Sequence, residues 1–100
     1  MRVIAKKTLR DFWEKHKGCE EQLKVWYHEA ENALWKSPNQ IKKYFPSASI
    51  LMDNRIVFNI KGNNYRLIVG INYVKQRVYF KYFLTHAKYD KDYWKNDPNY

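Results

Sequence analysis

The stretch RIVFNIKGNNYRLIVGINYVKQRVYFKYFL, Arg55 to Leu84, decides the fold. Its apolar residues recur at every second position, the period of a strand with one face in a core. Two polar breaks, KGNN and VKQ, divide it into Arg55–Ile60, Tyr65–Tyr73 and Arg77–Leu84. Alternation puts Ile56, Phe58 and Ile60, then Leu67, Val69 and Ile71, then Val78, Phe80, Tyr82 and Leu84 on the core face. The opposite face carries Arg55, Asn59 and Lys61, then Arg66 and Asn72, then Arg77, Tyr79, Lys81 and Phe83. Upstream, Ser49 to Met52 and the dipeptide Asp53-Asn54 predict one more strand and a two-residue hairpin turn. Together these segments form an antiparallel meander of about four strands.

Before Pro46 the period is helical. Leu9, Phe12, Trp13 and His16 follow the i, i+3, i+4, i+7 spacing of an amphipathic helix ending near Gly18. Leu23, Trp26, Tyr27, Ala30 and Leu34 repeat it in a second, longer helix that stops before Pro38. The segment NQIKKYF adds a further helical turn, and Arg2 to Ala5 reads as a short first strand. The aromatic stripes are core packing. The class is therefore α+β, with two N-terminal helices packed on a mostly antiparallel four- to five-stranded sheet.

One hundred residues, 45% hydrophobic and 18% aromatic, make one folded domain over 1–100. No apolar run approaches the roughly 18 residues needed to span a bilayer, and the N-terminus has no signal-peptide pattern. The reading is a cytoplasmic protein without a membrane. The lone Cys19 leaves no internal disulfide and no multi-cysteine metal site.

The formal charge is +9, and its distribution is uneven. Glu20, Glu21, Glu29 and Glu31 outweigh Lys24 and Lys36 across the second helix. Between Pro38 and Tyr89, Lys42, Lys43, Arg55, Lys61, Arg66, Lys75, Arg77, Lys81 and Lys88 face a single acid, Asp53. Basic residues interleaved with aromatic ones on an open sheet suit RNA, whose phosphates pair with Arg and Lys and whose unstacked bases lie on rings. A solvated basic surface is the competing interpretation of the charge.

No paired-carboxylate, H-x-x-x-H, C-x-x-C or G-x-S-x-G pattern is present, nor a phosphate-loop glycine pattern. His16 and His28 sit within helical patterns as surface or boundary residues. His86 follows the last strand, where side chains of neighbouring strands converge. Cleaving RNA without a metal needs a group to take the 2′-hydroxyl proton, cations to stabilise the phosphorane, and a donor for the departing 5′-oxygen. His86, Tyr89 and Tyr93 can move protons, and Arg66 and Lys61 can hold charge. The residue types alone equally allow Thr85 to be a helix N-cap with His86 at the helix entry.

The phrases N-I-x-G-N-x-Y-R-L at Asn59 to Leu67 and T-H-x-x-Y-D at Thr85 to Asp90, with Phe45-Pro46 before the first hairpin, resemble the HigB toxins of bacterial type II toxin–antitoxin modules. These toxins are a branch of the RelE/ParE superfamily. The resemblance covers nearly the whole chain and implies a RelE-like fold. It also implies an mRNA interferase, an endoribonuclease cutting messenger RNA on the ribosome without metal or other cofactor and leaving a cyclic phosphate. A HigA-like helix-turn-helix antitoxin is the implied partner, and operator DNA is reached only through it.

By position, Arg66 matches the arginine that contacts the scissile phosphate in this superfamily. Lys61 and Asn59 lie where relatives place basic or polar site residues. His86 and Tyr89 belong to the closing phrase, Tyr93 matches a tyrosine near the C-terminus of some relatives, and Lys88 supplies charge. The implied catalytic set is Arg66, His86, Lys61, Tyr89 and Tyr93. The RNA-binding set is Arg55, Asn59, Arg77, Tyr79, Lys81 and Lys88. Two alternatives share the scaffold: a ParE-like toxin that poisons gyrase, and a basic RNA-binding module without catalysis.

Overall fold

A computed structural model describes residues 1–4, 6–60 and 64–96. The order of elements is β1 (Arg2–Ile4), α1 (Lys6–Lys15), α2 (Glu20–Asn32), α3 (Pro38–Tyr44), β2 (Ser49–Ile50), β3 (Arg55–Ile60), β4 (Tyr65–Asn72), β5 (Arg77–Thr85) and α4 (His86–Asp90). Single 3₁₀ turns at Lys17–Cys19 and Tyr93–Asn96 follow α1 and α4. The sheet has the order β1-β5-β4-β3-β2, with β1 parallel to β5 and every other pair antiparallel. This is the α+β architecture expected, with the N-terminal strand added beside the last one.

The helical stripe of α1 buries Leu9 and Trp13, and that of α2 buries Leu23, Trp26 and Ala30. They meet Ile56, Phe58, Leu67, Val69 and Val78 from the sheet in one core. Trp26 meets Phe58 edge-on at 5.4 Å, a favoured aromatic geometry. Glu20 and Glu21 occupy the first turn of α2, where the helix dipole favours carboxylates. Lys24 Nζ lies 3.1 Å from Glu20 Oε1 and holds that carboxyl below its ordinary range.

The second helix is shorter than its sequence stripe. It ends at Asn32, so Leu34 falls outside it and is 78% exposed, while Trp35 is buried instead. Burying an indole outweighs continuing a helix, and Gln76 Nε2 holds the segment by donating to the Trp35 carbonyl at 2.7 Å. The third helix is fuller than one turn, with Pro38 at its start. Asp53 and Asn54 both have positive φ, 57° and 59°, as the tight hairpin turn between β2 and β3 requires.

The main correction concerns β5. Ile68 pairs with Tyr82 but Val69 pairs with Phe80, so Lys81 is one residue too many on its strand. Such a bulge reverses alternation beyond it. Phe83 therefore enters the core, and Tyr82 and Leu84 move to the opposite face. That face is less open than the alternation implied. Val57 and Ile68 form a second, smaller core there with Trp94, edged by Tyr82, Leu84 and Tyr89.

Candidate functional site

Arg66 is the second residue of β4 and opposes Asn59 on one side and Leu84 on the other. It stands on the face turned away from the helices, yet it is only 8% exposed and is the one buried charged residue among those described. Its Nη1 donates to the Tyr65 carbonyl at 3.2 Å, and its guanidinium lies 5.5 Å from the centre of the Tyr89 ring. A guanidinium within about 6 Å of an aromatic centroid is attracted by the ring's quadrupole.

The helix carrying Tyr89 begins directly after β5. Thr85 caps it, its Oγ1 accepting from the Lys88 N–H at 3.3 Å. The helix-entry placement of His86 is thus correct, and it also puts His86 at the sheet end, directly after the Thr85 that pairs with Tyr65. The His86 N–H donates to the Asn64 carbonyl at 3.0 Å, and Thr85 pairs with Tyr65, the neighbour of Arg66. On the side chain, His86 Nδ1 lies 2.8 Å from Asp90 Oδ2, one helical turn on. A ring that donates Nδ1–H to a carboxylate leaves Nε2 as the nitrogen able to accept a proton. Asp90 was not among the expected site residues, although its i+4 spacing from His86 in HAKYD is legible once a helix is assumed.

Trp94 is the other residue the sequence reading missed. It stacks on Tyr89 at 5.3 Å with a 17° tilt, and its Nε1–H donates to the Tyr89 carbonyl at 2.9 Å. Through these contacts the second core holds Tyr89 against Arg66. From the opposite side of the sheet, Tyr65 stacks on Phe83 at 5.1 Å and His16 packs on both rings. His16 is thus a boundary residue of the main core.

Tyr93 is 77% exposed. With Leu84, Lys88, Lys91 and Trp94 it lines a groove of about 310 Å³ on the α4 side. Lys61 lies outside the described residues, as does most of the Gly62-Asn63-Asn64 turn. Asn59 donates to the Ser47 carbonyl at 3.5 Å while facing Arg66. Arg55, Tyr79 and Lys81 do not join this constellation. Arg55 and Tyr79 flank Gly70, four residues beyond Arg66 on β4, and Arg77 pairs with Asn72 at the strand's end. The apolar row Val57–Ile68–Tyr82 separates the two groups. The sequence-predicted basic face is thus two bands, not one.

No group of three or more His, Cys, Asp or Glu side chains suited to a metal occurs among the described residues. No helix among them is long and apolar enough to cross a membrane.

The sequence matches the profile of the HigB toxin family, described as the RelE-like toxic component of a toxin–antitoxin system, over residues 19–92. It is 29% identical over 92 residues to the mRNA interferase toxin HigB of Escherichia coli strain K12, covering 90% of this chain and 88% of that protein. The same figures hold for the mRNA interferase HigB of Shigella flexneri. The mRNA interferase HigB of Escherichia coli O6:H1 strain CFT073 is 27% identical over 93 residues, covering 91% of this chain and 90% of its own.

Proposed function

The chain belongs to the HigB toxin family, the RelE-like toxic component of toxin–antitoxin systems, and from that premise we propose that it is an mRNA interferase acting on ribosome-bound messages. The observation that supports this reading is the buried Arg66 guanidinium 5.5 Å from the centre of the Tyr89 ring, on the short helix that also carries the His86–Asp90 pair. The planar arginine fork matches the spacing of two oxygens of one phosphate.

In the reaction, the 2′-oxygen attacks the adjacent phosphorus and the bond to the 5′-oxygen breaks, leaving a cyclic phosphate. His86 Nε2 takes the 2′-hydroxyl proton, and Asp90 stabilises the imidazolium that forms. Arg66 carries the charge that develops on the phosphorane, with Lys61 as a second cation. Tyr89 and Tyr93 supply phenolic donors for the departing 5′-oxygen. Asn59 and Lys88 hold the flanking strand, and Arg55, Arg77, Tyr79 and Lys81 extend the RNA-facing surface. The chemistry uses no metal or cofactor.

A toxin of such a module has an antitoxin partner. The finer reading is a HigA-like helix-turn-helix protein that neutralises the toxin in the cytoplasm and alone contacts operator DNA. The decisive experiment is induction in a heterologous host, followed by primer extension on a translated message. Cuts inside reading frames are expected, and they vanish in Arg66→Ala. Growth arrest with intact messages and gyrase-linked DNA breaks would instead identify a gyrase poison on the same scaffold.

A further inference from the structure

Tyr89 rides on the five-residue α4, yet contacts that hold its ring come from beyond that helix. Asp92 has a positive φ of 60°, the left-handed conformation that ends a helix and turns the chain. Its N–H donates to the Tyr89 carbonyl at 3.2 Å, and the 3₁₀ turn Tyr93–Asn96 then brings Trp94 back onto Tyr89. The indole meets Tyr89 twice, ring on ring at 5.3 Å with a 17° tilt and through Nε1–H to the same carbonyl at 2.9 Å. One contact is a directional hydrogen bond and the other a broad stacked face, so together they constrain both the place and the tilt of the phenol ring.

Trp94 is also tied to the strand that carries Arg66. It is buried with Val57 and Ile68, an opposed pair from β3 and β4, and its ring lies 6.4 Å from that of Tyr82 on β5. Ile68 stands two residues beyond Arg66, on the same face. The contacts thus close a circuit: along β4 from Arg66 to Ile68, from Ile68 to Trp94, from Trp94 to Tyr89, and from Tyr89 back to the Arg66 guanidinium. A five-residue helix joined to the sheet only at its start would leave its last turn free to fray. The circuit refers that turn directly to the strand of Arg66.

We propose that Trp94 is a positioning residue for the cleavage reaction, setting through Tyr89 where the phenol stands relative to the Arg66 guanidinium. This rests on the proposed nuclease reading for the reaction itself, while the circuit stands on its own geometry. Buried as it is, Trp94 acts through Tyr89 and not on the message.

The test uses the full chain in single-turnover cleavage of a translated message, with the half-saturating concentration measured beside the rate. Trp94→Leu keeps an apolar cover over Val57 and Ile68 but removes both contacts with Tyr89. It is expected to lower the rate at saturation about 10²-fold and to leave half-saturation unchanged. Trp94→Phe restores a ring for the stack and recovers most of the rate. Ile41→Val, a fully buried site in the main core, lowers stability without touching Tyr89 and keeps the wild-type rate. A second pair holds the test should Trp94→Leu not fold. Asp92→Val and Asp92→Gly both lose the carboxylate that lies 3.4 Å from Lys95 Nζ, but only valine resists the positive φ. The valine variant is expected to lose rate and the glycine variant to keep it. Placement is also read without any reaction, by NMR. Nuclear Overhauser contacts between the Tyr89 ring and the Arg66 side chain should vanish in Trp94→Leu and return in Trp94→Phe. Their persistence in Trp94→Leu overturns the proposal, as does a folded Trp94→Leu that cuts as fast as Ile41→Val. So does a loss carried wholly by half-saturation, which would make the indole part of the binding surface. A wild type that cuts no message overturns the nuclease reading instead, and the NMR contacts still decide whether Trp94 places Tyr89.

Discussion

Arg66 combines two properties seldom found together, burial and an outward-facing position on a strand. Removing a buried guanidinium from water is costly, so its donors must be met by fixed partners. The Tyr65 carbonyl and the Tyr89 ring meet part of that requirement, and on the proposed mechanism the scissile phosphate adds to it. Lysine in its place keeps the charge but not the planar fork. Arg66→Lys is expected to cut the cleavage rate about 10² to 10³-fold, measured in single-turnover assays beside an unchanged circular dichroism spectrum. Near-wild-type cleavage by the lysine variant would remove the fork from the mechanism. Asp90 acts through His86, and a carboxamide there no longer dictates which ring nitrogen holds the proton. Asp90→Asn should therefore slow cleavage about tenfold while half-saturation by message stays put. An equal loss of affinity would make the pair a binding feature.

The helix α4 is five residues long, far below the length at which a helix is stable alone. Its order comes from Thr85 at one end and from Tyr89 stacked on Trp94 at the other. His86, Tyr89 and Asp90 all ride on it, so the catalytic geometry depends on a weak element. Thr85→Ala is expected to lower stability by about 1 kcal/mol, a fall of about 4–8 °C in Tm. Cleavage should drop disproportionately, because the frayed turn carries three site residues. A variant with the lower Tm but full activity would show that Tyr89 and Trp94 suffice to hold the turn. The bulge in β5 belongs to the same level of organisation. One surplus residue, Lys81, exchanges Phe83 for Tyr82 and Leu84 between the two faces and supplies the apolar row that divides the basic bands.

Across the whole molecule, charge is unevenly spread. Helix α2 carries Glu20, Glu21, Glu29 and Glu31 against Lys24, whereas β3, β4 and β5 carry Arg55, Arg66, Arg77 and Lys81 and no acid. With a net charge of +9, the sheet side steers towards polyanions from beyond contact distance. Association with single-stranded RNA should weaken with salt by a log–log slope of about −0.7 for each phosphate engaged. Two bands give a slope steeper than about −1.4 on that basis, read from titrations between low and physiological salt. A flat dependence would mean that the basic sheet does not meet a phosphate backbone.

Local pattern was enough for much of this chain. Period-two alternation marks β3 and β4 with their faces, and places Arg66 on the side away from the helices. The 3.6-residue stripes mark α1 and most of α2, because each depends only on which neighbours are apolar. The phrases at Asn59 to Leu67 and Thr85 to Asp90 carried the family. Pairing between distant segments settled the remainder. Nothing in the string VYFKYFL tells that Lys81 is surplus, since a bulge exists only relative to the strand opposite it. Nor does the tail announce that Trp94 covers Val57 and Ile68, or that Leu34 yields to Trp35. Those outcomes follow from competition for one limited volume of core, a quantity that no short window of sequence contains.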